Sequence, residues 1–438
     1  MRPLRPRDPM SPRDSMSAPG APGAPGAPGA PGAPGPPGPP SAESRVSPPG
    51  PVSSLARLAS SASDLWARLP EAARATLPLW FASRVAVALL SLAAARVAVE
   101  GAMGKVPTFT ELWDRWDVGL FTKVAHYGYV SPRYSDKTEV DFPAFPLAIR
   151  LVHFVVPNWI IAGLIVVFLA GAVASAAIWR LAADDGGPAA GRAAVLAMIF
   201  APYAVFLFAG YSEALFLAFA STSWLAARRE RWWLAGALAA CATGTRVTGI
   251  PLWCGLVVLY VVERRRIGAP VLARPALSLA LPPLPVFGFL WYLHGKTGEW
   301  NAYTAAMREG WHRWVDWPWS GWSTTWGSAF PGADGSTTFT WFWRAELLAV
   351  VLGVVVTIAL LYSRRWAEAT FVGTATLLMA ATNYYASGVR TMLVAFPVYL
   401  LFARLAARFP RAAPAYLWLS GPVMAVFVVA FTQGRWVD

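Results

Sequence analysis

From about residue 77 onward, long apolar runs alternate with short polar turns. The runs fall near 77–99, 158–180, 190–208, 211–227, 232–249, 250–263, 275–294, 341–362, 366–385, 389–407 and 414–433. Most approach the ~20 residues a helix needs to cross a hydrocarbon core about 30 Å thick. The pattern predicts an all-α polytopic membrane protein with about eleven transmembrane helices. A further apolar run, 142–156, is interrupted by Pro143, Pro146 and Arg150. It reads as a segment that dips into the bilayer or as a twelfth span.

The chain before residue 77 has a different texture. Residues 1–52 form a tail rich in Pro, Gly and Ala, in which Ala-Pro-Gly repeats between Ala18 and Gly35. So few triplets do not make a triple helix, and a flexible, extended cytoplasmic tail is expected. Residues 53–76 suit a basic amphipathic helix on the membrane surface. Residues 77–438 form the transmembrane domain, with two long polar loops at 101–141 and 296–340. The first apolar stretch begins far from the N-terminus, so an uncleaved anchor is expected.

Composition sharpens this picture. Hydrophobic residues make up 56% and charged residues 14%, against about 25% charged in soluble domains. The net charge of +13 would suit nucleic acid, but its distribution excludes that partner. The arginines cluster in turns between spans: Arg228, Arg229 and Arg231; Arg264, Arg265, Arg266 and Arg274; Arg364 and Arg365; Arg404, Arg408 and Arg411. With eleven spans and a cytoplasmic N-terminus, all four clusters fall on the cytoplasmic side, as the positive-inside rule requires. Both long loops then lie outside. Loop 101–141 carries five basic and six acidic residues, loop 296–340 three and four. A multi-pass protein of the cell membrane is expected. Cys241 and Cys254 lie in apolar runs without metal-ligand spacing and read as small buried residues.

Candidate chemistry gathers on the outer side. At helical spacing Trp113, Asp117, Leu120 and Val124 share one face. A carboxylate on an apolar stripe needs a partner or a task. Asp117 is therefore a candidate base, or else a capping acid or the partner of Arg115 or Lys123; Asp114 falls on a neighbouring face. The segment Phe142-Pro143-Ala144-Phe145-Pro146 either shapes a re-entrant wall or is an ordinary kink. Glu213, between two spans, either binds an acceptor hydroxyl or caps a helix. Arg246 and Arg390 stand at outer span ends, against the positive-inside bias. Each suits phosphate oxygens or a structural ion pair. Loop 296–340 and its flanks hold ten tryptophans, among them Trp300, Trp311 and Trp343. Most are expected to anchor at lipid headgroups, some to stack on sugar rings. His312 reads as a surface residue. No Walker loop, GxGxxG unit or HExxH occurs, so an enzyme here would draw an activated substrate from the membrane.

These blocks resemble a family. Trp116-Asp117 with Val124-Ala125 and Tyr127-Gly128-Tyr129, then Phe142-Pro143-Ala144-Phe145-Pro146, Tyr211-Ser212-Glu213, Arg231-Trp232-Trp233, Thr245-Arg246-Val247-Thr248-Gly249 and Ser387-Gly388-Val389-Arg390 are similar, in order and spacing, to the motifs of the PIG-V type. That is the GPI mannosyltransferase 2 family with its bacterial relatives. Two positions depart from the family's pattern: Leu120-Phe121 stands where Trp-Tyr is frequent, and Val389-Arg390-Thr391 where Pro-Arg-Tyr is frequent. The resemblance implies a GT-C glycosyltransferase with a polyprenyl-phosphate sugar as donor and mannose as the sugar. The acceptor would be a lipid or glycan hydroxyl, met on the non-cytoplasmic face. It makes Asp117 the base and places Trp116, Asp114, Glu213, Arg246 and Arg390 at the substrates. It names no cofactor and leaves a divalent metal open. A transporter or flippase of a lipid-linked sugar could use the same residues, although the halves show no repeat.

Overall fold

The structure, a computed structural model of the chain, describes residues 64, 66–100, 105–332 and 339–437. The tail 1–52 and most of the 53–76 segment lie outside these residues. Among the described residues the architecture is all-helical, with one isolated bridge between Val315 and Thr382.

The first helix, α1 (Glu71–Glu100), starts just after Pro70 and carries the first predicted span. The outer loop that follows forms two short helices, α2 (Phe109–Trp113) and α3 (Asp117–Tyr127). Then comes α4 (Ala144–His153), only ten residues long. At about 1.5 Å per residue it is too short to span, which removes the twelfth-span reading and leaves the dipping segment.

The runs predicted at 158–180 and 190–208 lie in one helical stretch, α5 (Trp159–Ile199). It kinks at Gly186 and Gly187, whose φ of 76° suits glycine, and restarts at Pro188. The second limb stops at Ile199, so residues 200–208 form turns and not the end of a span. Buried Arg84 of α1 donates to the Leu207 carbonyl there, at 2.8 Å.

Next come α6 (Glu213–Arg228), α7 (Trp232–Thr245), α8 (Gly249–Arg266) and α9 (Leu284–Thr297). The second outer loop folds into α10 (Ala302–Trp311) and α11 (Pro318–Ala329). The chain closes with α12 (Thr340–Tyr362), α13 (Trp366–Ala380), α14 (Gly388–Val394), α15 (Pro397–Arg408) and α16 (Ala412–Thr432).

Among the described residues, α1, α5, α12, α16 and the stretch Arg274–Thr297 that ends in α9 are long and apolar enough to cross a membrane alone, and α14 with α15 makes a sixth, bent by 66°. The chain is thus a multi-pass membrane protein. The number eleven counts runs such as α7 and α13 that form helices of only 14 and 15 residues. The break lies at Ala395 (φ −78°, ψ 74°), and Pro397 opens α15 at the first helical position, where its missing N–H leaves no bond unmade.

Two charged poles organise the bundle. At one, Asp185 accepts from Arg228 at 2.8 Å, and also from Arg365 and Arg404. Three of the predicted arginine turns therefore meet at one end. Glu213 begins the helix that Arg228 ends, roughly 22 Å away at 1.5 Å per residue. The second pole lies there. The cysteine reading is corrected: Cys241 is exposed and Cys254 half-buried.

Candidate active site

The second pole lines a cavity of about 550 Å³. Its wall begins where the first outer loop breaks. The sequence reading carries one helix through residues 113–124, but the backbone turns at Trp116, with φ 53° and ψ −125°. That conformation is rare for a bulky residue and marks local strain. Trp116 packs edge-on against Trp436, with ring centroids 4.7 Å apart. The turn restarts the helix at Asp117. Asp117 therefore stands in the first turn of α3, where the helix dipole favours an anion, and not on an apolar stripe.

Asp114 is exposed and does not line the cavity. Its carboxylate lies beside Gly119 in the first turn of α3. It is the one predicted site residue that the fold keeps away from the others.

Asp117, Glu213, Arg246 and Arg390 do converge. Arg390 donates from Nη1 to Asp117 Oδ2 at 3.1 Å and from Nε to Glu213 Oε1 at 2.5 Å. Arg246 donates from Nη1 to the same Glu213 oxygen at 2.6 Å and to Ser212 Oγ at 2.9 Å. The Glu213 side chain is 0% exposed. The Arg390 guanidinium lies over the rings of Phe206 and Tyr211, 5.1 and 4.7 Å from their centroids. Tyr211 also accepts from the Asp117 backbone N–H at 3.3 Å. Four segments distant in sequence thus hold one acid against the cavity. Glu213 is a charge partner rather than an exposed acceptor ligand.

The bend before Pro397 lets α14 carry Arg390 inward. Its N-terminus is held by Glu346, whose Oε2 accepts the Gly388 N–H at 2.7 Å. A Cβ at Gly388 would meet that oxygen at 2.6 Å and Met379 Sδ at 2.4 Å, so a larger residue would have to push both side chains aside. The second outer loop closes over this point. Asn383 accepts from the Trp314 N–H at 3.0 Å and donates to the His312 carbonyl at 3.0 Å. Of the loop's tryptophans, Trp311 and Trp343 line the cavity. Trp300, Trp317 and Trp319 are exposed, as expected of headgroup anchors.

The cavity residues that the sequence does not single out include Asp141, Tyr303 and Arg313. In the sequence Asp141 and Arg313 are two charges among the many of the polar loops. The signal for Asp141 was its place directly before the Phe142-Pro143 block. Its side chain is buried, and Oδ2 has no hydrogen-bond partner among the described residues. Burial first, then the charge of Asp117, holds its pKa well above the usual carboxylate range, with Arg390 and Arg246 opposing. The folded chain therefore keeps a proton that the unfolded chain releases near pH 4. Stability from this group is full below that pH and is lost as pH rises toward the folded value. Asp141→Asn mimics the protonated acid. Melting curves in detergent between pH 5 and pH 8 should show the variant losing less stability than the parent as pH rises. Parallel curves would refute the assignment.

Among the described residues, no three His, Cys, Asp or Glu side chains gather to hold a metal ion.

No family model matches the chain, and no curated protein matches it. Among solved structures the chain is similar to ArnT from Cupriavidus metallidurans bound to undecaprenyl phosphate, with a TM-score of 0.47 and 17% identity. The alignment covers 81% of this chain and 64% of ArnT, so the chain spans less than two thirds of that protein. A likeness this distant does not carry function.

Proposed function

We propose that the chain is a GT-C-type membrane glycosyltransferase of the PIG-V kind. It would move a sugar, mannose by the motif resemblance, from a polyprenyl-phosphate donor to a hydroxyl on a lipid or glycan acceptor. The observation that carries this reading is the placement of Asp117: its carboxylate stands on the wall of a membrane-protein cavity, oriented by a buried arginine and a tyrosine. The ordered motif blocks of the PIG-V type add to it. The arginine turns that meet at Asp185 favour a cytoplasmic location for that pole, which puts the cavity on the non-cytoplasmic face.

The acceptor oxygen attacks the anomeric carbon while its proton passes to the Asp117 carboxylate. The bond from the anomeric carbon to the phosphate oxygen breaks, and its electron pair leaves with the polyprenyl phosphate. Arg390 is a positioning residue, buried behind the acid it orients. Arg246 adds positive potential at the wall. Trp116, Trp311 and Trp343 supply flat faces for a sugar ring.

Purified protein in detergent should transfer radiolabel from polyprenyl-phosphate mannose to a lipid acceptor with no bilayer present. A protein that only carries the donor between leaflets would give no product under those conditions. That result would move the assignment to the transporter.

A further inference from the structure

By residue type, Arg246 and Arg390 would suit the donor phosphate. The geometry leaves them little to offer an anion. Both guanidinium groups bond Glu213, and Arg390 also bonds Asp117. Among the described residues, two positive and two negative charges thus meet in one quartet. A phosphate entering the cavity would also meet the carboxylate of Asp117. Its attraction has to come from elsewhere on the wall.

Arg313 supplies it. It follows α10, lines the cavity, and is half-buried. Its Nε is buried without a hydrogen-bond partner, and no carboxylate pairs with it among the described residues. The positive φ of 51° at His312 ends α10 and starts a sharp turn, in which the Arg313 N–H reaches back to the Met307 carbonyl at 3.1 Å. Asn383 holds the same turn from across the cavity rim. The guanidinium therefore sits on a fixed support.

Tyr303, one helix earlier, is near enough to feel the charges of Arg313, Arg246 and Asp141. Its ring packs against Phe142, with centroids 6.0 Å apart. Burial pushes its hydroxyl up, so it remains a neutral donor. Arg313 is the cavity arginine that no carboxylate pairs among the described residues.

We propose that Arg313 and the Tyr303 hydroxyl form the phosphate-binding corner of the cavity and recognise the phosphate of a lipid-borne phosphoryl group. The planar fork of arginine matches phosphate oxygens in pairs, and the tyrosine adds a neutral hydrogen bond. The proposal rests on the glycosyltransferase reading above and names where that reaction's leaving group is held. The negative charge that grows on the departing phosphate would be met there, away from the base.

The test is calorimetric titration of the full-length protein in detergent with farnesyl phosphate, farnesol and inorganic phosphate. The parent protein should bind farnesyl phosphate at least tenfold more tightly than farnesol. Inorganic phosphate should compete only at much higher concentration; equal affinity for it would overturn the lipid-borne assignment. Arg313→Gln should erase about 10–100-fold of the preference for phosphate over alcohol. Arg313→Lys should keep part of it, and Tyr303→Phe should lose a smaller share. The melting temperatures of these variants should stay near the parent's, because neither polar group has a hydrogen-bond partner among the described residues, and Phe keeps the ring packing on Phe142. If Arg313→Gln retains the parent's full preference, the Arg313 assignment is wrong and the glycosyltransferase reading is untouched. If the parent itself shows no preference, both fall.

Discussion

Asp117→Asn should lower sugar transfer by about 10²–10⁴-fold, the range that a positioned general base contributes. The amide keeps the size of the carboxylate and can still accept from Arg390 Nη1, which lies 3.1 Å from Oδ2. The backbone N–H of residue 117 still reaches Tyr211. The variant should therefore insert and fold, and bind donor at least as tightly as the parent, since one negative charge facing the phosphate is gone. The loss belongs in kcat, because the base acts in the transition state and not in donor binding. Asp114→Asn is the matched control. The two acids stand three residues apart, yet Asp114 is exposed and off the cavity wall. Single-turnover transfer from radiolabelled donor separates the cases. An Asp117→Asn variant with parental kcat would remove the base from the mechanism, whatever else the cavity binds.

That contrast shows what the sequence could and could not reveal. Helical periodicity placed Asp117 and Trp113 on one face, because spacing alone assumes an unbroken helix. The break at Trp116 depends on a positive φ held by packing on Trp436, a contact over three hundred positions away. No local pattern reports it. The apolar runs were legible because a bilayer imposes length and composition directly. Their ends were less so. The stop at Ile199 and the bend before Pro397 come from turn chemistry inside apolar sequence.

The site was legible in proportion to how badly each residue suited its surroundings. Arg246 and Arg390 stood out because a cation at membrane depth requires a reason. They do converge, but on Glu213, so the structural ion pair and the site turned out to be one cluster. Arg313 and Asp141 were hidden because both lie in a polar loop, where a charge is unremarked. Only the fold shows that α10 and the segment around Asp141 bury them against the same cavity. Tyr303 was hidden for the opposite reason, as one aromatic among many near a membrane surface.

The largest stability effect is expected at Glu213. Glu213→Gln removes the single carboxylate that two arginines share through Oε1, at 2.5 and 2.6 Å. Arg390 is almost fully enclosed, and the Arg246 side chain is 13% exposed. Water can solvate neither of them well. Breaking a buried pair by removing one partner costs about 3–5 kcal/mol, because an uncompensated charge is left behind. Here two guanidinium groups would also repel each other. Thermal unfolding in detergent should register the loss as a clear drop in melting temperature. Transfer should fall as well, since Arg390 would lose the contact that aims it at Asp117. The companion variant Glu213→Gln with Arg246→Gln tests the cause. Removing one of the stranded cations should recover part of the stability, giving a coupling of about 0.5–3 kcal/mol in a double-mutant cycle. A single-variant loss below about 1 kcal/mol, the level of an exposed pair, would show that Glu213 is not what holds the two arginines in place. The account of the site as one quartet would then fail, and with it the reason for looking to Arg313.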